Sequence, residues 1–186
     1  MNSGREVYHT WVCLSRGRLL LMTSQRLTHI TEDGNAHMVD VSTRETTVRT
    51  ATASGEVFVS QKVLDMLKDN TVPKGDVLAT ARIAGIMASK RTPDLIPLCH
   101  PIAVHGVEID VSVDTDRVRI EVTVKTADRT GVEMEALTAV SVAALTVIDM
   151  IKALDPGATI SNIGVNEKDG GRNGLWKRSD SAKNTK

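Results

Sequence analysis

The sequence predicts an α+β fold, a ferredoxin-like sandwich with helices on one face of an antiparallel sheet and an extra helix in the first crossover. Three observations carry this. Segments follow in the order strand, two helices, strand, strand, helix, strand, which is the split β-α-β arrangement. Two adjacent runs, Val107, Ile109, Val111, Val113 and Val118, Ile120, Val122, Val124, alternate with polar residues around the turn Asp114-Thr115-Asp116. They predict an antiparallel hairpin with one dry and one wet face. The stretch Leu137 to Leu154, LTAVSVAALTVIDMIKAL, has 13 apolar or alanine residues among 18, with no glycine or proline. It reads as a helix buried on most of its sides.

The elements follow in order. Met1 to Leu21 is expected to be an upstream extension, because Met22 followed by TSQRLTHI looks like an ordinary protein start. Its apolar run, Leu19 to Met22, is too short for a signal-peptide core. The expected organisation is a disordered N-terminal extension over 1–24, one domain over 25–175 and a polar tail over 176–186. Residues 25–46 read as a polar arm with a turn at Asp33-Gly34-Asn35. Thr47 to Val59 is rich in β-formers and predicts a strand with a bulge near Ser54-Gly55. Ser60 opens a short helix whose apolar stripe is Val63, Leu64, Met66 and Leu67. Asp76 is the expected N-cap of a second helix, Val77 to Lys90, after the loop DNTVPKGD. Arg91 to Ile102, RTPDLIPLCHPI, carries three prolines and reads as a rigid packed loop, since proline fits neither helix interiors nor central strands. The long helix opens near Glu133 and stops at Asp155-Pro156-Gly157. A last strand, about Thr159 to Val165, leads into the glycine-rich EKDGGRNG.

Composition narrows the function classes. Lys and Arg number 23 against 23 Asp and Glu, and the pI is near 7. No overall positive field attracts nucleic acid. The four aromatics, Tyr8, Trp11, Phe58 and Trp176, offer almost no platform for stacking bases. RNA binding through the sheet is therefore disfavoured. No stretch is expected to reach the length of a membrane span. The two cysteines, Cys13 and Cys99, form no disulfide framework and no zinc spacing, which fits a reducing cytosol and a cytoplasmic location.

Candidate chemistry begins on the long helix. At about 100° per residue, Thr138, Ser141, Leu145, Asp149 and Lys152 share one narrow arc. Asp149 and Lys152 are expected to sit in apolar surroundings, where charge is costly unless paired or used. Two readings stay open: a buried ion pair that fixes a register, or an acid/base pair with burial-tuned pKa values. Lys168-Asp169-Gly170-Gly171-Arg172-Asn173-Gly174 combines glycines, which let backbone N–H groups approach an anion, with two bases. It lacks the P-loop spacing, and a flexible turn with solvated charges also explains it. Lys74 precedes the second helix in its loop. His100 is held between prolines, as a packed structural residue or a functional one. Cys99 beside it admits a thiolate, although sequence neighbours rarely have catalytic geometry. Glu133 and Glu135 suit the first turn of a helix on dipole grounds alone. The outer side of the long apolar helix suggests an assembly. From these residues, an enzyme acting on a phosphorylated small molecule stands beside a non-catalytic small-molecule-binding module on the same fold.

Five segments in order make a more specific pattern: LTHI with AHMVDVS (Leu27 to Ser42), KGDVLATARIAGI (Lys74 to Ile86), DLIPLCHPI (Asp94 to Ile102), GVEMEALTAVSVAALTVIDMIKA (Gly131 to Ala153) and the loop at Lys168. Together they closely resemble the molybdenum-cofactor biosynthesis protein C family, the cyclic pyranopterin monophosphate synthases. The resemblance spans about Leu27 to Asn173. It implies conversion of 3′,8-cyclo-7,8-dihydroguanosine triphosphate into cyclic pyranopterin monophosphate with release of pyrophosphate. Such ring opening and reclosure needs proton donors and acceptors, and neither cofactor nor metal is expected. By the resemblance, the acid/base aspartate is Asp149, with Lys152 and Lys74 as its catalytic lysines. Leu98, Cys99 and His100, then Glu133, Met134 and Glu135, and finally Lys168 and Arg172 are implied to bind substrate. A hexamer built from dimers, with active sites at subunit boundaries, is also implied. The glycine loop departs from the family's usual KSGGKSG: Arg172 keeps a positive charge, while Asp169 adds a negative one near the expected phosphates.

Overall fold

β-Branched alternation and an interrupting proline loop become a five-stranded sheet in the computed structural model, which describes residues 10–15, 18–23, 30–31, 33–172 and 174–179. The chain divides into two units, Met1–Val39 and Asp40–Lys186. In the first, β1 (Thr10–Ser15) pairs antiparallel with β2 (Arg18–Thr23), Trp11 opposite Met22. The rest of the expected extension lies outside the described residues. The expected turn at Asp33-Gly34-Asn35 is present, closed by an Ile30–Ala36 bridge, with Gly34 at φ 82°.

The second unit runs β3 (Thr47–Phe58), α1 (Gln61–Lys68), α2 (Val77–Ser89), α3 (Thr92–Leu95), β4 (Gly106–Val113), β5 (Arg117–Asp128), α4 (Glu133–Ile151), β6 (Thr159–Asp169) and β7 (Trp176–Lys177). The sheet order is β4-β5-β3-β6-β7, with every neighbouring pair antiparallel. Its first four strands have the ferredoxin-like order, and the helices lie on one side. Three details differ from the sequence reading. One helical turn, α3, sits inside the proline loop, with Pro93 in the first turn where its missing N–H costs nothing. β6 extends to Asp169. A seventh strand, β7, occupies the start of the expected tail.

Local chemistry explains the boundaries. Asp76 caps α2 by accepting from the Ala79 N–H at 2.9 Å. The Asp155 carboxylate past the end of α4 accepts from the Ser60 N–H at 2.6 Å and so ties that end to the start of α1. β3 alternates strictly: Ala51, Ala53, Gly55 and Val57 face the helices, and the residues between face outward. The bulge expected in β3 falls on its partner instead. β3 pairs with β5 without a break, while against β6 the extra residues are Asn166, between the partners of Thr52 and Ala53, and one of Asn162 and Ile163, opposite Gly55.

Helix α4 lies on the sheet through Ala136, Ala139, Val140, Ala143, Ala144 and Val147, all fully buried. A Cβ on Gly55 would stand 2.7 Å from Val140 Cγ1, so the β3 glycine lets α4 approach. On the other flank α2 packs on α4 through Gly85, where a Cβ would meet Ile109 Cδ1 at 2.7 Å and the Ala139 carbonyl at 3.1 Å. One sequence expectation needs correction here. α4, at 19 residues and mean hydropathy 1.7, is long and apolar enough by length and composition to cross a membrane. Half of it is buried against the sheet and α2, so its apolarity is that of a core helix.

Gly85→Ala tests the close approach. Alanine gains up to about 1 kcal/mol in helix propensity, but overpacking costs about 1–3 kcal/mol. A net loss of stability is expected in urea unfolding. A clear gain would show that α2 and α4 are not so tightly apposed.

Candidate active site

The two ends of α4 carry different chemistry. At the C-terminal end, Lys152 Nζ donates to Asp149 Oδ1 at 2.7 Å. Lys74, projecting from the loop before α2, donates through Nζ to the Asp149 backbone carbonyl at 2.7 Å and lies 3.6 Å from Oδ2. Gly75, at φ 97°, turns the chain there from Lys74 into the α2 cap. The three catalytic candidates therefore meet as one carboxylate between two amines.

Their surroundings correct the sequence reading. The side chains of Asp149 and Lys152 are 62% and 61% exposed, not shielded by the chain's own core. The helical arc that holds them turns outward along α4: Thr138 is buried, whereas Leu145 is 57% exposed. The Lys152 hydrogen bond and charge, followed by the charge of Lys74, hold the Asp149 carboxyl below its usual range. Charge pairing, not burial, sets its state.

At the N-terminal end, the glycine loop meets the first turn of α4 and the start of β3. Lys168 Nζ donates to Glu133 Oε1 at 2.8 Å. The ladder pairs Thr50 with Asp169 and Ala51 with Lys168. A cleft of about 680 Å³ opens there, lined by Arg44, Arg49, Lys168 and Arg172 among others, with Glu45, Glu133 and Asp169 as its acids. Two glycines of the loop, Gly170 and Gly171, leave no room for a side chain. Gly170 and Gly171 have φ of 97° and 72°. A Cβ on Gly170 would overlap the Val48 carbonyl, and one on Gly171 would stand 2.5 Å from Arg49 Nη1. Arg49 is fixed by donating through Nε to the Asp128 carbonyl at 3.0 Å and through Nη2 to the Arg129 carbonyl at 3.2 Å. The Thr47 hydroxyl, buried at this cleft, has no hydrogen-bond partner among the described residues. Arg44 and Arg49 were not singled out in the sequence. Their only signal was two arginines five apart at the mouth of the first strand, ahead of a basic glycine loop.

Glu135 is the buried acid of the site, 3% exposed. Burial, with a smaller push from Glu133, raises its carboxyl to about 7. Burial, and then the charge of Glu135, push the Cys99 thiol up, which disfavours the thiolate. Leu98, Cys99 and His100 are half-buried after α3. The Asp40 carboxyl, lowered chiefly by hydrogen bonds from Ser42, also feels the charge of His100. Met134 is exposed on α4. The candidates thus fall into Lys74, Asp149 and Lys152 at one end of α4 and Glu133, Lys168 and Arg172 at the other. Glu133 and Asp149 are 16 residues apart on one helix, roughly 24 Å at the helical rise.

Comparison with known proteins places these residues in context. Residues 38–171 match the family model described as the MoaC family. A protein of Streptomyces avermitilis is 67% identical over 154 residues, covering 83% of this chain and 91% of the relative. One of Streptomyces coelicolor is 64% identical over 154 residues, with the same shares of 83% and 91%. A third, of Streptomyces griseus, is 62% identical over 164 residues, 88% of this chain and 93% of the relative. Each bears the name cyclic pyranopterin monophosphate synthase.

The raised Glu135 carboxyl has a consequence for stability. In the unfolded chain it ionises near 4.5, in the folded chain near 7. Between those values the folded state binds more protons, so stability falls as pH rises through that window. Glu135→Gln is expected to lose this dependence, gaining on the native chain in urea midpoint as pH climbs from 4.5 to 7. Parallel pH profiles for the two proteins would show that Glu135 is not raised.

Proposed function

We propose the function from one premise: this chain belongs to the MoaC family. It is an enzyme, a lyase of the phosphorus–oxygen type, acting in molybdenum-cofactor biosynthesis. It converts 3′,8-cyclo-7,8-dihydroguanosine 5′-triphosphate into cyclic pyranopterin monophosphate and diphosphate. The observation that carries the chemistry is the Asp149 carboxylate bracketed by Lys152 and Lys74. A non-catalytic binding module is not favoured, because the relatives are named as synthases.

The parts divide the work. Opening and reclosing a purine ring moves protons on and off nitrogen and oxygen, which positioned donors and acceptors accelerate. Lys74 and Lys152 supply ammonium donors beside the reacting ring. Asp149, kept ionised by them, is the acceptor and holds both amines in place. Lys168, Arg172, Arg44 and Arg49 grip the triphosphate in the cleft, where guanidinium and ammonium groups make charge-assisted bonds to phosphate oxygens. Glu135, titrating near neutrality, can hold or release a proton on substrate bound against the Leu98-Cys99-His100 loop.

The separation along α4 decides how the site is assembled. Roughly 24 Å of helix is longer than a nucleoside triphosphate can bridge. A substrate gripped at Lys168 and transformed at Asp149 therefore needs the second group from another copy of the chain. Exposed apolar residues on the helical layer, Ile83 and Met87 one turn apart on α2 and Leu145 on α4, give a second copy something to cover. Such a copy also shields Asp149 and the lysines from water, which strengthens their electrostatics. The expected assembly is a hexamer built as a trimer of dimers, in the cytoplasm.

The test is incubation with the cyclic dihydro-GTP intermediate and assay for diphosphate and pterin product. Asp149→Asn and Lys152→Ala are each expected to lose at least about a hundredfold in rate. Neither side chain belongs to the chain's own core, so the fold and its melting temperature should hold. Full turnover by either variant would remove that residue from the mechanism.

A further inference from the structure

The segment after the glycine loop lies beyond the family match, which ends at residue 171, yet it is built into the sheet. β7 pairs with the last residues of β6, Lys168 opposite Trp176 and Glu167 opposite Lys177. Asp169 to Arg172 and Gly174 to Leu175 are therefore the two sides of a hairpin tip rooted at Lys168. Gly170, Gly171 and Gly174 all have positive φ, at 97°, 72° and 58°. Glycines in such a loop have much conformational freedom to lose. Two ladder residues are a weak anchor for it.

The anchor is completed one residue further on. The Arg178 N–H donates to the Asn166 carbonyl at 2.7 Å, extending the ladder. Asn166 in turn donates through Nδ2 to Ser54 Oγ on β3 at 2.8 Å. The Arg178 guanidinium lies directly on Gly164, and a Cβ built there would fall inside it. Gly164 is buried, and its backbone does not have the positive φ that demands glycine. Glycine in a strand interior weakens the strand unless something must approach its backbone. Here what approaches is Arg178. The Lys177–Glu167 ion pair, 2.8 Å long but 63% and 42% exposed, adds little by comparison.

We propose that Arg178, seated in the side-chain slot left empty by Gly164, is a positioning residue. It pins β7 and so holds the glycine loop, with Lys168 and Arg172, in the shape that grips phosphate. The inference rests on the reading of that cleft as the triphosphate site. Without the pin, the loop must be ordered when substrate binds, and that cost falls on binding more than on the chemical step.

The experiment compares the full-length native chain with Arg178→Ala and Gly164→Val, measuring kcat, KM, calorimetric binding of diphosphate and melting temperature. Both variants are expected to raise KM and the diphosphate dissociation constant about tenfold, with kcat within about twofold. Gly164→Val should melt no lower than the native chain, because valine favours strands. A structural role alone would not weaken phosphate binding while preserving or raising stability. Native KM and diphosphate affinity in either variant would overturn the proposal. So would losses of kcat that track a fall in melting temperature. A native chain that neither turns over nor binds diphosphate would overturn the phosphate reading, and the proposal with it.

Discussion

Helix α4 is pressed onto the sheet by its small-residue face, and the rest of the structure is arranged around that contact. Ala136, Ala139, Ala143 and Ala144 keep the helix thin on its inner side, and Gly55 and Gly85 remove the side chains that would hold it away from β3 and α2. Dense packing of this kind leaves the helix one position. Its first turn is delivered to the glycine loop at the end of β6. Its last turn is delivered to the loop that carries Lys74. A rod held this firmly fixes not only where the two groups of polar residues sit but how far apart they must be.

That distance gives the exposed Asp149 its meaning. A carboxylate between two lysines, open to water on the single chain, interacts weakly with its partners because water screens them. Its low-lying carboxyl is the mark of charge pairing rather than of a dry pocket. Glu135 shows the opposite case at the other end of the same helix. It lies under the first turn with its carboxyl lifted to about 7. One helix thus presents an ionised carboxylate at one end and a protonatable one at the other. In the proposed assembly, a second copy covering the outer end would unite the two environments without altering the chain's own packing.

Much of the fold was legible in the sequence. The valine alternation of β4 and β5 and the Asp155-Pro156-Gly157 stop are local patterns that no distant contact overrides. So is the Asp76 cap. Glycine at position 55 suggested a bulge in β3, but it serves the approach of Val140, and the extra residues lie on β6. What failed was the inference from apolar composition to burial. A helical wheel shows which residues share a face but not where cover begins and ends along the axis, so Thr138 is buried while Asp149 in the same arc is open. β7 was hidden because a two-residue strand has no period of its own and exists through pairing with β6. Arg44 and Arg49 were hidden for a similar reason. Only the β3–β6 register, with Thr50 beside Asp169, sets the mouth of β3 against the glycine loop. Of the site residues, Lys74 stood out only as a loop lysine before a helix and by the resemblance. The sequence had no means of showing that it reaches Asp149, a contact between residues 75 apart in the chain.

The central claim is that the amines and carboxylate of one copy act on a phosphate chain gripped by another. Subunit complementation tests it most directly. Asp149→Asn and Lys168→Ala chains, each weakly active alone, are dissociated, mixed in equal amounts and reassembled. If sites are shared between copies, about a quarter of them combine an intact Asp149 with an intact Lys168 in a random mixture. Synthase activity should then rise to about a quarter of that of the native protein. Activity no higher than the mean of the two parents, in a mixture shown to have exchanged subunits, would mean that each chain acts alone.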